Sequence, residues 1–323
     1  MLMMAMKRGM KVAVNELNVK LENQKIRKQL RKRRKIKTFD IVAVAILIMI
    51  GLVVLFPFYN VVIISFAKYA SIAKAKLYIL PTSFQLKAYK SLVEDSEFWR
   101  AFGNTVFITV AGVTLSMIVS VAGSYALSVK SLPFRNFFLT LILITMFFGG
   151  GLIPYYLLMK NLHLIDSIFV MVIPTCVSTT YIIIMKNYFV NMPISLIESA
   201  RLDGANDITI LLKIILPISK PFMATFALFY AVERWNEWWN AQMFISKSSL
   251  APLQIYLRNL LIAYNSTISS NALAQAERNI DNTIYFPSLQ MAAVVVSSIP
   301  ILMVYPYLQK HFTKGILVGS VKE

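Results

Sequence analysis

Between residues 233 and 240 the chain reads Glu-Arg-Trp-Asn-Glu-Trp-Trp-Asn. Carboxylates, a guanidinium, amides and indoles crowd into one short run. Carboxylates and amides hydrogen-bond hydroxyl groups, and aromatic rings pack on the C–H face of a pyranose, so the run has the chemistry needed to hold a sugar. On an unbroken helix Glu233, Glu237 and Asn240 share one face, at i, i+4 and i+7, and Arg234 and Trp238 share the next. With Asn236, these residues form a candidate substrate path. A second reading fits the same letters: an aromatic belt of Trp235, Trp238 and Trp239 at a membrane surface, beside an internal Glu–Arg pair. Composition and spacing leave both open.

Other chemistries are missing. No Gly-x-Ser-x-Gly elbow is present, and no histidine accompanies a nucleophile. His163 and His311 stand far apart, and the single cysteine, Cys176, excludes an internal disulfide and a cysteine-based zinc site. No catalytic set and no metal set is expected. No Gly-x-x-x-x-Gly-Lys-Ser/Thr run occurs, so ATP is not bound by that route.

The elements that must position the polar run are apolar. Hydrophobic residues make up 57% of the 323 and charged residues 15%, with a mean hydropathy of +0.63. Soluble domains carry about 25% charge. A helix needs about 20 apolar residues to cross a bilayer. Stretches at about 41–66, 101–129, 136–159, 167–185, 222–245 and 288–309 meet or approach that need, the fifth turning polar in its outer half. The expectation is an all-α membrane protein with six transmembrane helices. Gly149, Gly150 and Gly151 with Pro154 interrupt the third, for close packing against another helix or as a hinge or gate.

Charge sets the orientation. Of 33 Lys/Arg, 13 lie in residues 1–38, which carry a net +11 of the chain's +18. With the N-terminus inside, inner segments hold 22 Lys/Arg and outer segments 10, so both termini are expected in the cytoplasm. The basic arm, 1–38, ends in the run Arg31 to Lys37 and reads as an anchor on anionic lipids. Residues 16–30 suit an amphipathic helix along the inner leaflet. The run lacks the interleaved aromatics of a nucleic-acid site, so no nucleic-acid partner is expected. Segments 67–100 and 246–287 are outer elements and candidate docking surfaces.

Between the fourth and fifth stretches, residues 197–221 read as helix, glycine, helix, proline, with Ile208, Leu211, Leu212 and Ile215 on one face of the second helix. This loop resembles the EAA motif of ABC-importer permeases: Glu198-Ser199-Ala200, Gly204, Ile214, Leu216 and Pro217 stand at the motif's spacings, with Ser199 for its first alanine. Asp203-Gly204-Ala205 is similar to the carbohydrate-permease form. Pro81-Thr82-Ser83-Phe84 with Tyr89, and Asn104, resemble the oligosaccharide-permease pattern, and Phe148 to Pro154 is similar to the branch that imports complex oligosaccharides. The end of the chain, through Gly315, Gly319, Val321 and Lys322, is similar to the tail of the second permease of maltose-type systems.

The resemblance implies a type I ABC-importer permease. Its transmembrane domain would span 39–311, with a coupling loop at 191–221 and a cytoplasmic tail at 312–323. Glu198 would pair with a basic ATPase residue, Ala200 would permit close approach, and Gly204 would make the turn. The tail residues would touch the ATPase. The implied partners are a second, different permease, a dimer of ATPase subunits and an extracytoplasmic sugar-binding protein. ATP and magnesium would sit on the ATPase and no cofactor on this chain, which would not itself be an enzyme. The implied function is oligosaccharide import across a bacterial cytoplasmic membrane by a multi-pass protein. The alternative is an ion-gradient-driven secondary carrier, which would call for intramembrane acids and related halves.

Overall fold

The computed structural model describes residues 38–68, 84–269 and 286–320. Residues 1–37 of the basic arm, Pro81 to Ser83, residues 270–285 of the second outer segment, and Val321 and Lys322 lie outside them. Every regular element among the described residues is helical, and they contain no strand. Two compact units are distinguished, residues 1–58 and 59–323.

The first unit holds most of α1 (Thr38–Ser65), an uncharged helix after Asp40. None of its most apolar residues is buried, and Leu47, Met49, Leu52 and Val53 are all about two-thirds exposed. A surface of this kind is stable only against hydrocarbon or another protein.

In the second unit α3 (Ser96–Ser128) is the central post. Asp95 caps it by accepting from Glu97 N at 2.8 Å. Its buried face steps through Ile108, Gly112, Ser116, Ser120 and Ser124. From Gly112 onward these residues are small, and where α9 (Lys220–Trp235) approaches, Ser120 Oγ meets Tyr230 Oη at 2.7 Å across the contact. At the other end, Asn104 Nδ2 donates to the carbonyls of Ser249 and Ala251, and Leu253 N donates to Thr105 Oγ1. The short helix α2 (Lys87–Glu94) and α12 (Phe286–Ser320) complete this side, where Leu92, Phe98, Trp235, Leu253 and Ala293 form one apolar cluster.

Three of the six expected stretches are not single helices. Residues 136–159 form α4 (Arg135–Phe147) and α5 (Leu152–Asn161), bent by 117° at residues 148–151, where Gly151 has φ +81°. Pro154 is tolerated in the first turn of α5, whose N–H groups have no partner within the helix. Residues 167–185 begin as a 3₁₀ turn, Ile168–Met171, pass through an irregular stretch containing Pro174, and become helical only at α6 (Thr179–Val190). The fifth stretch stops at Trp235 and restarts as α10 (Trp239–Phe244). By length and composition, three described helices can cross a bilayer, or up to five if each bent pair counts as one span. The last helix runs on to Ser320, past the expected end at 309 and through Gly315 and Gly319.

Candidate functional site

Two regions carry the predicted residues. The first is the loop between α6 and α9. Its opening helix, α7 (Ile194–Leu202), ends in a Schellman turn: Ala205 N donates to Ala200 O at 2.9 Å and Gly204 N to Arg201 O at 3.0 Å. Gly204 takes φ +81°, as that turn requires. Asn206 then caps α8 by accepting from Thr209 N at 2.8 Å. α8 runs over Asp207–Ile218. Arg201 Nη2 reaches Asp207 Oδ1 at 3.0 Å, and this exposed pair ties the two helices together.

Residues of the loop divide by face. Ala200, Ile210 and Ile215 are buried in a cluster with Val121 and Tyr125 of α3, Met185 and Phe189 of α6, and Met223 and Phe226 of α9. Ala200 therefore makes its close approach to the chain's own core, where the resemblance assigned it to a partner. Ile214 and Leu216 pack against the same cluster, and Pro217 is exposed. Glu198, Ser199, Asp203 and Gly204 face outward, with Leu202 at 89%, Ile208 at 69% and Leu212 at 56% exposure. The expected single face of Ile208, Leu211, Leu212 and Ile215 is split. A π turn at Leu211–Ile215 inserts an extra residue and turns Ile215 inward while Ile208 and Leu212 stay out. The exposed Leu202 was not singled out from the sequence; its place in the last turn before Gly204 is the signal.

The second region is the break between α9 and α10, and here the one-face expectation fails. Asn236 Nδ2 donates back to Val232 O at 2.8 Å as α9 ends. Glu237 starts the next helix: its Oε1 accepts from Asn240 N at 2.9 Å and its Oε2 from Asn240 Nδ2 at 3.2 Å. Tyr155 on α5 donates to Asn240 Oδ1 at 3.1 Å. Glu233 accepts from Tyr181 Oη at 2.5 Å. These carboxylates thus have partners inside the chain, and the helix break separates the faces that an unbroken helix would have aligned.

Arg234 points elsewhere. It is 3% exposed and lies across Gly112 of α3. Its guanidinium donates to Thr175 Oγ1 and the Thr175 carbonyl, and to Ser116 Oγ at 3.3 Å. Nε has no partner, and Arg234 is in no ion pair among the described residues. The internal Glu–Arg pair of the belt reading is therefore not formed. Trp235 is buried and donates through Nε1 to Ser297 O at 3.2 Å, whereas Trp238 and Trp239 are roughly half exposed. Trp238 carries Arg258 over its ring, 5.5 Å from the centroid. Of the three indoles, only two are placed to meet a lipid surface or a ligand.

No family model matches the chain. It is 38% identical over 289 residues to the polygalacturonan/rhamnogalacturonan transport system permease protein YtcP of Bacillus subtilis (strain 168), covering 89% of this chain and 99% of that protein. It is 37% identical to protein LplC of the same organism, over 88% of this chain and 95% of the other. A solved chain of a bacterial ABC transporter involved in the import of the acidic polysaccharide alginate aligns with a TM-score of 0.79 at 35% identity, covering 86% of this chain and 98% of that one. Relatives at this identity and coverage, together with the all-helical, bilayer-crossing fold, show that the chain belongs to the multi-pass permease subunits of ABC-type sugar importers.

Proposed function

We propose that this chain is one permease of an oligosaccharide importer, with six crossings, broken ones included, and both termini in the cytoplasm. It pairs with a second, different permease, and receives sugar from an extracytoplasmic binding protein. ATP hydrolysis occurs in a separate ATPase dimer, which holds the ATP and magnesium. The basic arm rests on anionic lipid. Two relatives carry names that refer to acidic polysaccharides, and the proposed cargo here is an oligosaccharide bearing carboxylates.

One observation carries the coupling assignment. The α7–α8 element sets Ala200, Ile210 and Ile215 into the core and leaves Glu198, Leu202, Ile208 and Leu212 outside. An acid among exposed aliphatic residues, held by a capped turn, suits insertion into a cleft of a partner rather than contact with water. Glu198, Ser199, Asp203 and Gly204 form its rim. An ion-gradient carrier has no use for such an element. Gly315, Gly319, Val321 and Lys322 are assigned to the same ATPase surface by the family pattern.

Substrate-path roles for Glu233, Arg234, Asn236, Glu237, Trp238 and Asn240 follow the same reading. The exposed Trp238 is the group best placed to touch sugar directly. Asn236, Glu237 and Asn240 shape the helix break beside it, and Glu233 and Arg234 tie α9 to Tyr181 and to Thr175 and Ser116.

Co-purification tests the coupling element. Leu202→Glu puts a charge on an outward side chain that supports nothing within the chain. Membrane insertion should be normal, and ATPase recovery with the permease should fall at least about tenfold, as for loss of one well-packed interface anchor. Full recovery with full uptake would remove the docking assignment.

A further inference from the structure

Beside the α9–α10 break lies an open pocket of about 200 Å³ that the reading above does not use. It is lined by apolar Ile245 and Ile255 and by polar Gln242, Ser246, Lys247 and Asn259. The turn bearing Lys247 is fixed from below, because Asp166 Oδ1 accepts from Ser246 N at 2.6 Å and from Lys247 N at 3.2 Å. Gln242 is fixed from the side: Arg258 Nη1 donates to its Oε1 at 2.9 Å while the same guanidinium sits over Trp238.

One cation, Lys247, thus lines this small pocket and a second, Arg258, stands behind its Gln242 wall, and neither takes part in an ion pair among the described residues. The carboxylate nearest in the bonding scheme, Asp166, is directed at backbone N–H groups. The Asn259 amide and the Ser246 and Ser248 hydroxyls beside the aliphatic Ile245 and Ile255 match the hydroxyls and C–H face of a sugar ring. An ammonium without a partner matches an anion, through a charge-assisted hydrogen bond. The volume lies below the range of about 300–1,000 Å³ for pockets that take drug-sized ligands, so it suits one ring and not a chain.

We propose that this pocket is an outward-facing subsite for one carboxylated sugar unit of the cargo, with Lys247 as the charge partner of the carboxylate and Arg258, braced on Trp238 and Gln242, as the second cation. The proposal rests on the importer reading and adds to it a position and a charge preference.

The test uses the whole importer in proteoliposomes with its binding protein. Uptake of trigalacturonate is compared with uptake of its carboxyl-reduced, neutral counterpart. Lys247→Gln should lower the acidic-to-neutral uptake ratio by about tenfold, the loss expected for one hydrogen bond to a charged group. Lys247→Arg should hold the ratio within about twofold of wild type. If wild type carries trigalacturonate alone, the proposal is supported when Lys247→Gln slows that uptake about tenfold and Lys247→Arg does not. An unchanged ratio overturns the subsite. So does equal slowing of both sugars, which marks a docking surface for the binding protein. A wild-type importer that carries only the neutral sugar overturns this inference and leaves the importer reading intact. One that carries neither overturns the carboxylated-cargo reading on which this inference rests.

Discussion

Arg234 lies so close over Gly112 that a Cβ at residue 112 would come within 2.8 Å of its Cδ and 2.9 Å of its Nε. The contact joins α9 to α3, and Thr175 and Ser116 complete it from the segment before α6 and from α3. Gly112→Ala forces the buried arginine to shift, and overpacking of this kind costs about 1–3 kcal/mol. The melting temperature of the purified protein should drop accordingly. In an Arg234→Ala background the same change should cost less than half as much. Equal costs in both backgrounds would reject the contact.

Gly204 offers a contrast, because nothing lies within 4 Å of a Cβ placed there. Only the backbone conformation resists substitution. Gly204→Ala should cost about 1–2 kcal/mol from its left-handed φ, Gly204→Asn less, and Gly204→Val more. Gly204→Asp should insert into the membrane normally and yet abolish uptake, since it adds charge to the proposed docking rim. Thermal melts rank the first three, and uptake per inserted molecule reads the fourth. Identical melts for all variants would show that the turn is not held as described.

Glu237 and Trp238 are neighbours with separable roles. Glu237→Ala removes the acceptor for Asn240 N and should cost about 1 kcal/mol, like loss of a helix cap. Glu237→Gln keeps one acceptor and should cost less. Trp238→Ala leaves the backbone scheme intact, frees Arg258 from its ring and should lower uptake per assembled complex several-fold. Complex yield measured beside uptake separates these cases. A silent Trp238→Ala would assign that indole to the lipid surface.

Tyr256 gives a pH signature outside the spans. Burial, then the hydrogen bond to Asp95 Oδ2 at 2.5 Å, then the charges of Asp95 and Glu97 push its phenol above the ordinary range. A folded value above the unfolded one means that the stabilisation is whole below about pH 10 and is lost as pH rises toward the folded value. Tyr256→Phe should lose about 1 kcal/mol at pH 8, allowing for partial exposure. It should also show a shallower alkaline decline than wild type. Parallel melting curves for the two proteins from pH 8 to 11 would contradict this.

Hydropathy located the helices because a bilayer imposes a length, but it did not report where they break. The 26 uncharged residues at 41–66 make one helix as far as Ser65, as their letters suggest. The run at 167–185 is equally free of charge, yet Pro174 and the Ser178 cap delay its helix to Thr179. At 233–240 periodicity misled for a physical reason: Asn236 and Glu237 satisfy backbone groups locally, which ends one helix and starts another. Fixed spacing served better in the loop, where Gly204 stands at the left-handed turn that its neighbours demanded. What spacing could not carry was the π turn, whose extra residue reassigns Ile215 to the core.

The division of α7 and α8 into seated and outward residues has a use in engineering. Ala200, Ile210 and Ile215 hold the element in the bundle, and Glu198, Leu202, Ile208 and Leu212 have no such duty. The outward set can therefore be exchanged as a cassette for that of another permease without repacking the interior. On the docking role proposed above, such a chimera should keep its own cargo while answering to a different motor.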